Sequence, residues 1–368
     1  MKSTKRLLAI LLALVLVLAA CSPSFNDTMK ETEMDANTDM NMETDEVSET
    51  PGTDNQGTGE TYKLGVLLYN GSDNYIGTVR QALQALDEAD DSIELDIQDG
   101  QNNQATQLEQ IDAMIAKQVD GLLINIVDFG SGKSVKEKVE GANIPTVFWN
   151  RDITADLTAE DLAKVIFYGT VAPQAGVMQG EMAFEQWEAN KALDRNGDGK
   201  LQYVMLHGGL DNAEAKARTE ESIKYFTDKG IEVEEIGMQV ADWDTDKAKQ
   251  AVDAWMAKDG DKIEMIFANN DGMAFGAITA LQEAGYNSGD ATKFIPVYGV
   301  DALAEAITKI DEGTMAGTVK QNNETMANGI ITLIKNKLSK DDWTEGTDLE
   351  LYEDGVSVRM DYEKVTKQ

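Results

Sequence analysis

The chain has one histidine and one cysteine among its 368 residues. A single histidine excludes a zinc cluster built on several histidines and leaves only His207 as the base of a catalytic triad, and a single cysteine excludes an intramolecular disulfide. Basic residues are also scarce, since 32 lysines and arginines face 66 acidic residues and the formal net charge is −34. A chain with this excess of negative charge is not expected to bind nucleic acid or an anionic membrane surface. The histidine, His207, ends an apolar run, and we expect it to pack in the core.

The apolar run at residues 7–18 is too short to span a bilayer, which needs about 20 residues. It follows Lys2, Lys5 and Arg6 and precedes the sequence Leu-Ala-Ala-Cys, which ends at Cys21. A basic start, a short apolar core and small residues predict a signal peptide over 1–20. The Leu-Ala-Ala-Cys sequence resembles the lipobox of bacterial lipoproteins, which implies lipidation of Cys21. An ordinary signal peptide with an incidental cysteine is the alternative.

Residues 22–60 contain 11 acidic residues, one lysine and almost no aliphatic side chains. Such a composition cannot bury enough apolar surface to offset the loss of chain entropy on folding. We therefore expect residues 21–60 to be a lipid-linked, disordered acidic tether. The mature protein would then be exported and held at the outer face of the cytoplasmic membrane, or periplasmic.

From residue 61 onwards, apolar runs alternate with amphipathic stretches, a pattern typical of parallel sheets covered by helices on both faces. In 246–258, for example, the apolar residues recur at helical spacing. One ten-stranded sheet is improbable at this length, so we predict two doubly wound α/β lobes with a break near 169–172. The predicted strands are 62–69, 93–98, 121–127, 145–149, 165–169, 201–207, 232–240, 263–268, 295–300 and 315–319.

Polar and aromatic residues follow most of these predicted strands. Ligands of doubly wound sheets bind at the carboxyl ends of the strands. Carboxylates, amides, an arginine and flat rings suit a polyhydroxylated ligand, although many of these residues are also common helix caps. The set is Asp73, Asn74, Tyr75, Asn150, Arg151, Asp211, Asn212, Glu214, Arg218, Trp243, Asp244, Asn269, Asn270, Asp271, Asp301, Gln321, Asn322 and Asn323.

Residues 194–202 read D-x-N-x-D-G-x-L-Q, the first nine positions of a calcium loop. Position 12 should be a bidentate glutamate but is Met205. The residues after the loop resemble a strand, so this is not an EF-hand, and an Asx-rich turn without metal is the alternative. We expect Met205 to pack in the core.

Long collinear segments resemble the periplasmic galactose/glucose-binding proteins of sugar ABC transporters over nearly all of 61–368. They are GVLLYNGSDNYIGTVR (65–80), NIPTVFWN (143–150), DRNGDGKLQYV (194–204), AEAKART (213–219), WDTDKAK (243–249), IEMIFANNDGMAFGAI (263–278) and VYGVDAL (297–303).

The resemblance implies the type I periplasmic binding protein fold, with two Rossmann-like lobes joined by a three-segment hinge near 169–172, 319–322 and 356–361. The first lobe would hold 61–170 and 321–357, and the second 171–320 and 358–368.

The resemblance also implies a sugar held between the rings of Tyr75 and Trp243. The implied hydrogen-bonding residues are Asp73, Asn150, Asn212, Glu214, Arg218, Asn270, Asp301 and Gln321. Three of them depart from the family pattern: Asn212 replaces a usual His, Glu214 an Asp, and Gln321 an Asn. These departures leave the preferred hexose open.

A structural calcium ion is implied as well. Its ligands would be Asp194, Asn196, Asp198, the carbonyl of Lys200, Gln202 and Glu264, the last at the start of a strand neighbouring 201–207.

The implied function is binding of galactose, glucose or a methyl-galactoside by a monomer that delivers it to an ABC permease. A sensor that presents its closed form to a chemoreceptor or histidine kinase is the alternative. A glycoside-cleaving enzyme using Asp73 with Glu214 or Asp301 is less favoured. A sugar-responsive repressor shares the fold, but no helix-turn-helix precedes residue 61.

Overall fold

The computed structural model describes residues 61–367. The predicted signal peptide, Cys21 and the acidic tether lie outside these residues. None of the helices in 61–367 combines the length and apolar character that crossing a bilayer requires.

The first lobe is built on a parallel six-stranded sheet with the order β11-β5-β4-β3-β1-β2. Apolar side chains pack on both of its faces, as expected for a doubly wound sheet. Its strands are β1 (Tyr62–Leu68), β2 (Ile93–Asp99), β3 (Gly121–Ile124), β4 (Thr146–Trp149), β5 (Val165–Thr170) and β11 (Ser357–Met360). Its helices are α1 (Asn74–Ala89), α2 (Gln104–Lys117), α3 (Gly132–Gly141) and α9 (Asn323–Lys340).

The second lobe repeats this architecture with the strand order β12-β10-β9-β8-β6-β7. Its core also covers both faces of the sheet, and only β12 runs antiparallel, against β10. Its strands are β6 (Leu201–His207), β7 (Val233–Val240), β8 (Met265–Ala268), β9 (Val297–Asp301), β10 (Gly317–Lys320) and β12 (Glu363–Thr366). Its helices are α4 (Ala172–Ala189), α5 (Ala213–Asp228), α6 (Thr245–Asp259), α7 (Asp271–Glu283) and α8 (Ala304–Glu312).

The predicted doubly wound fold is confirmed, and so are all ten predicted strands. The helix predicted over 246–258 is α6, with Ala248 and Val252 fully buried. His207 is buried and its Nδ1 accepts a hydrogen bond from the N–H of Gly209 (3.0 Å). Met205 is fully buried, as predicted for a core residue.

The chain crosses between the lobes after β5, after β10 and after β11. Helix α9, which follows the second crossing, buries Met326 and Ile330 against the first sheet. The predicted boundary between 357 and 358 was wrong, because β11 continues to Met360 and pairs with β5. Val358 and Met360 lie in the first core, so the third crossing comes after Met360.

Candidate functional site

A narrow polar cavity lies where the carboxyl ends of both sheets meet, the position at which doubly wound sheets bind their ligands. All ten residues predicted to contact a sugar line it, together with three others. The lining is Tyr69, Asp73, Tyr75, Ile76, Asn150, Arg151, Asn212, Glu214, Arg218, Trp243, Asn270, Asp301 and Gln321.

Three of the lining residues also cap helices. Asp73, Asn212 and Asn270 each use Oδ1 to accept a main-chain N–H at the start of α1, α5 and α7, at 2.9 Å in every case. Capping occupies one side-chain atom of each residue, and the second atom faces the cavity wall, where Asp73 Oδ2 accepts from the hydroxyl of Tyr69 and keeps further acceptor capacity. The cap interpretation and the ligand interpretation of these residues are therefore compatible.

The two aromatic walls come from different lobes. Tyr75 lies in the first turn of α1, and Trp243 lies in the loop between β7 and α6. The backbone of Trp243 has φ +65° and that of Asp301 has φ +125°. Left-handed backbone at non-glycine residues costs about 1–3 kcal/mol each and is concentrated at functional sites.

The lack of a side chain at Gly208 leaves the space that the indole ring of Trp243 occupies. A Cβ at Gly208 would lie 2.3 Å from Cζ2 of Trp243, far inside carbon–carbon contact distance. Gly208, which directly follows β6, is therefore required for the observed position of the ring.

Arg218 organises the floor of the cavity. Its Nη1 donates to the carbonyl oxygen of Asn269 (2.7 Å). Its Nη2 lies within hydrogen-bonding distance of Tyr362 Oη (2.9 Å), Gln321 Oε1 (3.1 Å) and Glu214 Oε2 (3.3 Å). Burial raises the pKa of Glu214, and the neighbouring guanidinium of Arg218 opposes that shift.

Several buried polar atoms of the lining have no hydrogen-bond partner among residues 61–367. Buried polar groups are normally paired, so each such atom needs an explanation. Burial also raises the pKa of Asp301 well above its usual value, with the carboxylate of Asp271 adding to the effect. The unpaired atoms are Tyr75 Oη, Arg151 Nε, Arg218 Nε, Asp301 Oδ2 and Gln321 Nε2.

Tyr69 and Arg151 belong to the cavity although the resemblance assigned them no role. The guanidinium of Arg151 lies 4.3 Å from the ring centroid of Tyr69 and 4.4 Å from that of Phe129, and Nη2 donates to the carbonyl of Val127 (3.0 Å). The hydroxyl of Tyr69 donates to Asp73 Oδ2 (2.6 Å). Arg151 lies two residues after β4 and belongs to the polar set that the sequence places after the strands.

The predicted calcium loop is a compact turn that ends at β6. Asp194 accepts three main-chain N–H groups, from Gly197, Asp198 and Gly199, at 2.8–3.1 Å. Gly197 and Gly199 have φ +75° and +77°, which glycine adopts without steric cost. Asn196 Nδ2 donates to Asp198 Oδ2 (3.0 Å), and the N–H of Lys200 donates to Asp198 Oδ1 (2.9 Å).

Glu264 joins this loop from the neighbouring strand, since β6 and β8 are paired. Its two oxygens accept the N–H groups of Arg195 (2.7 Å) and Gln202 (2.9 Å). Burial raises its pKa to about 7, with Asp194 and Asp198 contributing. Gln202 is buried and its Oε1 has no partner within the described residues.

These oxygen donors fit a hard cation such as Ca²⁺. In 61–367, no three carboxylate, imidazole or thiol side chains converge closely enough to hold a metal by themselves, so such a site would depend on the amides and the Lys200 carbonyl as well.

Two doubly wound lobes around a polar cavity define a two-lobed ligand-binding protein. The chain belongs to the periplasmic binding protein family: residues 64–342 match the family described as "Periplasmic binding protein domain". This membership places the chain among solute-binding proteins rather than enzymes.

Curated relatives bind sugars and polyols. The D-galactose/methyl-galactoside binding periplasmic protein MglB of Haemophilus influenzae is 36% identical over 306 residues, spanning 83% of this chain and 89% of the relative. A xylitol-binding protein of Mycolicibacterium smegmatis is 27% identical over 72% of this chain and 68% of the relative.

Solved structures share the fold. An ABC transporter solute binding protein from Bacillus halodurans with bound myo-inositol has a TM-score of 0.67 at 24% identity, covering 84% of this chain and 96% of that chain. One from Actinobacillus succinogenes with bound D-allose has a TM-score of 0.68 at 21% identity, covering 83% and 98%.

Proposed function

We propose that this chain binds a hexose, either galactose, glucose or a methyl-galactoside, in the cavity between its lobes and delivers it to a membrane ABC permease. The observation that carries this proposal is the set of five buried, unpaired polar atoms beside two aromatic rings in one cavity. Hydroxyl groups both donate and accept, so a sugar satisfies such a mixed set. The 36% identity to the galactose/methyl-galactoside relative supports the choice of a hexose.

Closure of the lobes follows from the origin of the lining residues. The first lobe supplies Asp73, Tyr75 and Asn150, and the second supplies Trp243 and Asp301, among others. A sugar that contacts both groups binds the closed arrangement more tightly than the open one and so shifts the population towards it. The permease then recognises the closed form.

The three departures from the family pattern give the cavity its own hydrogen-bonding character. Asn212 and Gln321 each commit their side-chain oxygen to a protein donor, so their NH₂ groups remain as donors. Glu214 has both oxygens engaged, by Thr170, Arg218 and Tyr362. We therefore expect Asn212 and Gln321 to donate to sugar hydroxyls, while Asp301 Oδ2, which has no protein partner, is available to a further hydroxyl.

We also propose that Asp194, Asn196, Asp198, the Lys200 carbonyl, Gln202 and Glu264 hold a structural calcium ion. The unpaired Oε1 of Gln202 and the buried carboxylate of Glu264 support this proposal. The ion would fix the loop to β6 and β8. These residues are absent from the cavity lining, so calcium and sugar would bind independently.

We propose further that Cys21 carries the lipid that anchors the exported monomer. Presentation of the closed form to a chemoreceptor, in place of a permease, would use the same cavity.

A thermal-shift screen tests the sugar proposal. The purified protein is heated with galactose, glucose, methyl-galactosides, xylose and ribose. A stabilisation by the galactose-type hexoses that exceeds the effect of the pentoses is expected. No shift with any of these sugars would contradict the proposal.

A further inference from the structure

Tyr362 occupies the third crossing, between β11 and β12, and is buried. It is absent from the cavity lining, yet its hydroxyl connects to the cavity floor. It accepts from Arg218 Nη2 (2.9 Å), donates to Glu214 Oε2 (3.1 Å) and lies 2.8 Å from Thr170 Oγ1.

All three crossings converge on Glu214 and Arg218, an ion pair one turn apart on α5 that we call the α5 pair. Thr170, at the end of β5, belongs to the first crossing and donates to Glu214 Oε1 (3.2 Å). Gln321, directly after β10, belongs to the second and accepts from Arg218 Nη2 (3.1 Å). Tyr362 belongs to the third.

The α5 pair is at the same time part of the cavity wall. Both residues line the cavity, as does Gln321. Arg218 also donates to the main-chain carbonyl of Asn269, next to the lining residue Asn270. In a buried network of this kind, removing one hydrogen bond alters the positions and strengths of the others.

Rotation of the lobes must change this network. Thr170 ends a strand of the first sheet, whereas the α5 pair lies on a helix of the second lobe. Hinge rotation is absorbed by backbone torsions in the connecting segments. Tyr362 packs in the core of the second lobe, as α5 does, so the distances that join Thr170 to Glu214 and to the hydroxyl of Tyr362 depend on the hinge angle.

We propose that Tyr362 is a positioning residue that couples occupancy of the cavity to closure of the lobes. Its ring is fixed in the second lobe and its hydroxyl links the α5 pair to Thr170 of the first lobe, so the arrangement that presents Arg218 to a ligand is the arrangement of the closed hinge. This inference rests on the proposed sugar-binding function.

Tyr362→Phe tests the coupling, because it removes the hydroxyl and keeps the ring. Calorimetric titrations with galactose, glucose and xylose should show affinity lowered by the same factor for each sugar, within the 5- to 150-fold typical of coupled sites. Small-angle scattering at saturating galactose should show a larger mean radius of gyration than in the wild type, because fewer molecules are closed.

The matched control is Tyr168→Phe. Tyr168 is equally buried, but its hydroxyl donates to the carbonyl of Thr325 within the first lobe (3.3 Å). The sugar affinities of Tyr168→Phe and its radius of gyration at saturating galactose should equal those of the wild type. A second variant, Thr170→Val, should weaken all three sugars in the same way, and the double variant should lose less than the product of the single losses. If Tyr362→Phe does not fold, Thr170→Val alone decides the question.

Unchanged affinity in Tyr362→Phe, or a change in the ranking of the sugars, would overturn the inference, since a changed ranking means direct contact with particular hydroxyls. A wild-type protein that binds none of the sugars would overturn the proposed function itself. A wild-type protein that binds galactose beside variants that bind it equally well would overturn only the coupling.

Discussion

An alanine at position 208 should weaken sugar binding by displacing the indole of Trp243. The added Cβ would lie 2.3 Å from Cζ2 and 2.4 Å from Cε2 and Cη2 of the ring. Carbon atoms in contact are separated by about 3.5–4.0 Å. The ring must therefore move by about 1.2–1.7 Å to restore normal contacts, which takes it away from the face that a sugar would cover.

The loss of sugar affinity in Gly208→Ala should not exceed the loss in Trp243→Ala, which lacks the indole ring. Trp243→Ala should cost about 1.5–3 kcal/mol of binding free energy, the value of burying a large apolar side chain, or about 10- to 150-fold in Kd. Gly208→Ala should approach this loss without exceeding it. Because both changes act through the same ring, the double variant should bind no more weakly than Trp243→Ala.

Isothermal titration calorimetry with galactose measures these affinities, and the neighbouring glycine supplies the control. A Cβ at Gly209 would meet only Asn212 Cβ, at 3.8 Å, so Gly209→Ala should bind as the wild type does. If Gly208→Ala keeps the wild-type Kd, or if the double variant loses the sum of the single effects, the role given to Trp243 is refuted.

Three further predictions concern other parts of the chain. Removing calcium should lower the melting temperature and leave sugar affinity unchanged, since calcium at 100 times its Kd stabilises the protein by about 2.7 kcal/mol. Glu264→Gln should abolish this dependence on calcium, and a wild-type melting temperature that does not respond to chelator would contradict the site. Asn212→His should change the ranking of hexoses in a calorimetric panel, because an imidazole replaces the amide donor; an unchanged ranking would mean that position 212 does not select the sugar. Cys21→Ser in the full chain should move the protein from the membrane fraction to the soluble exported fraction, as followed by immunoblotting; retention in the membrane fraction argues against lipidation.

The fold was largely predictable because most strands are short, continuous apolar runs. The sequences GLLI of β3 and MIFA of β8 are fully buried, and such runs between amphipathic helices are typical of doubly wound sheets. Strands β11 (SVRM) and β12 (EKVT) were not predicted, because they mix charged and apolar residues at the sheet edges. The boundary error at 357/358 follows directly from missing β11.

The cavity was predictable where a residue follows a strand, and less so elsewhere. Asp73, Asn150, Asn270 and Asp301 could be selected because a parallel sheet gathers the ends of its strands at one edge. Tyr69 was missed by one residue, since it was assigned to β1, which ends at Leu68.

Tyr362 could not be identified from local patterns. It precedes an unpredicted edge strand, and its contacts with Thr170 and Glu214 span 192 and 148 residues of sequence. Only the arrangement of all three crossings in space brings these groups together.

Calorimetric titration of the purified protein with D-galactose and D-glucose tests the central claim most directly. The account predicts saturable binding of one hexose per chain, weakened by Asp301→Ala and unaffected by Glu264→Gln. Absence of heat with both hexoses, or binding that Asp301→Ala leaves unchanged, would contradict it.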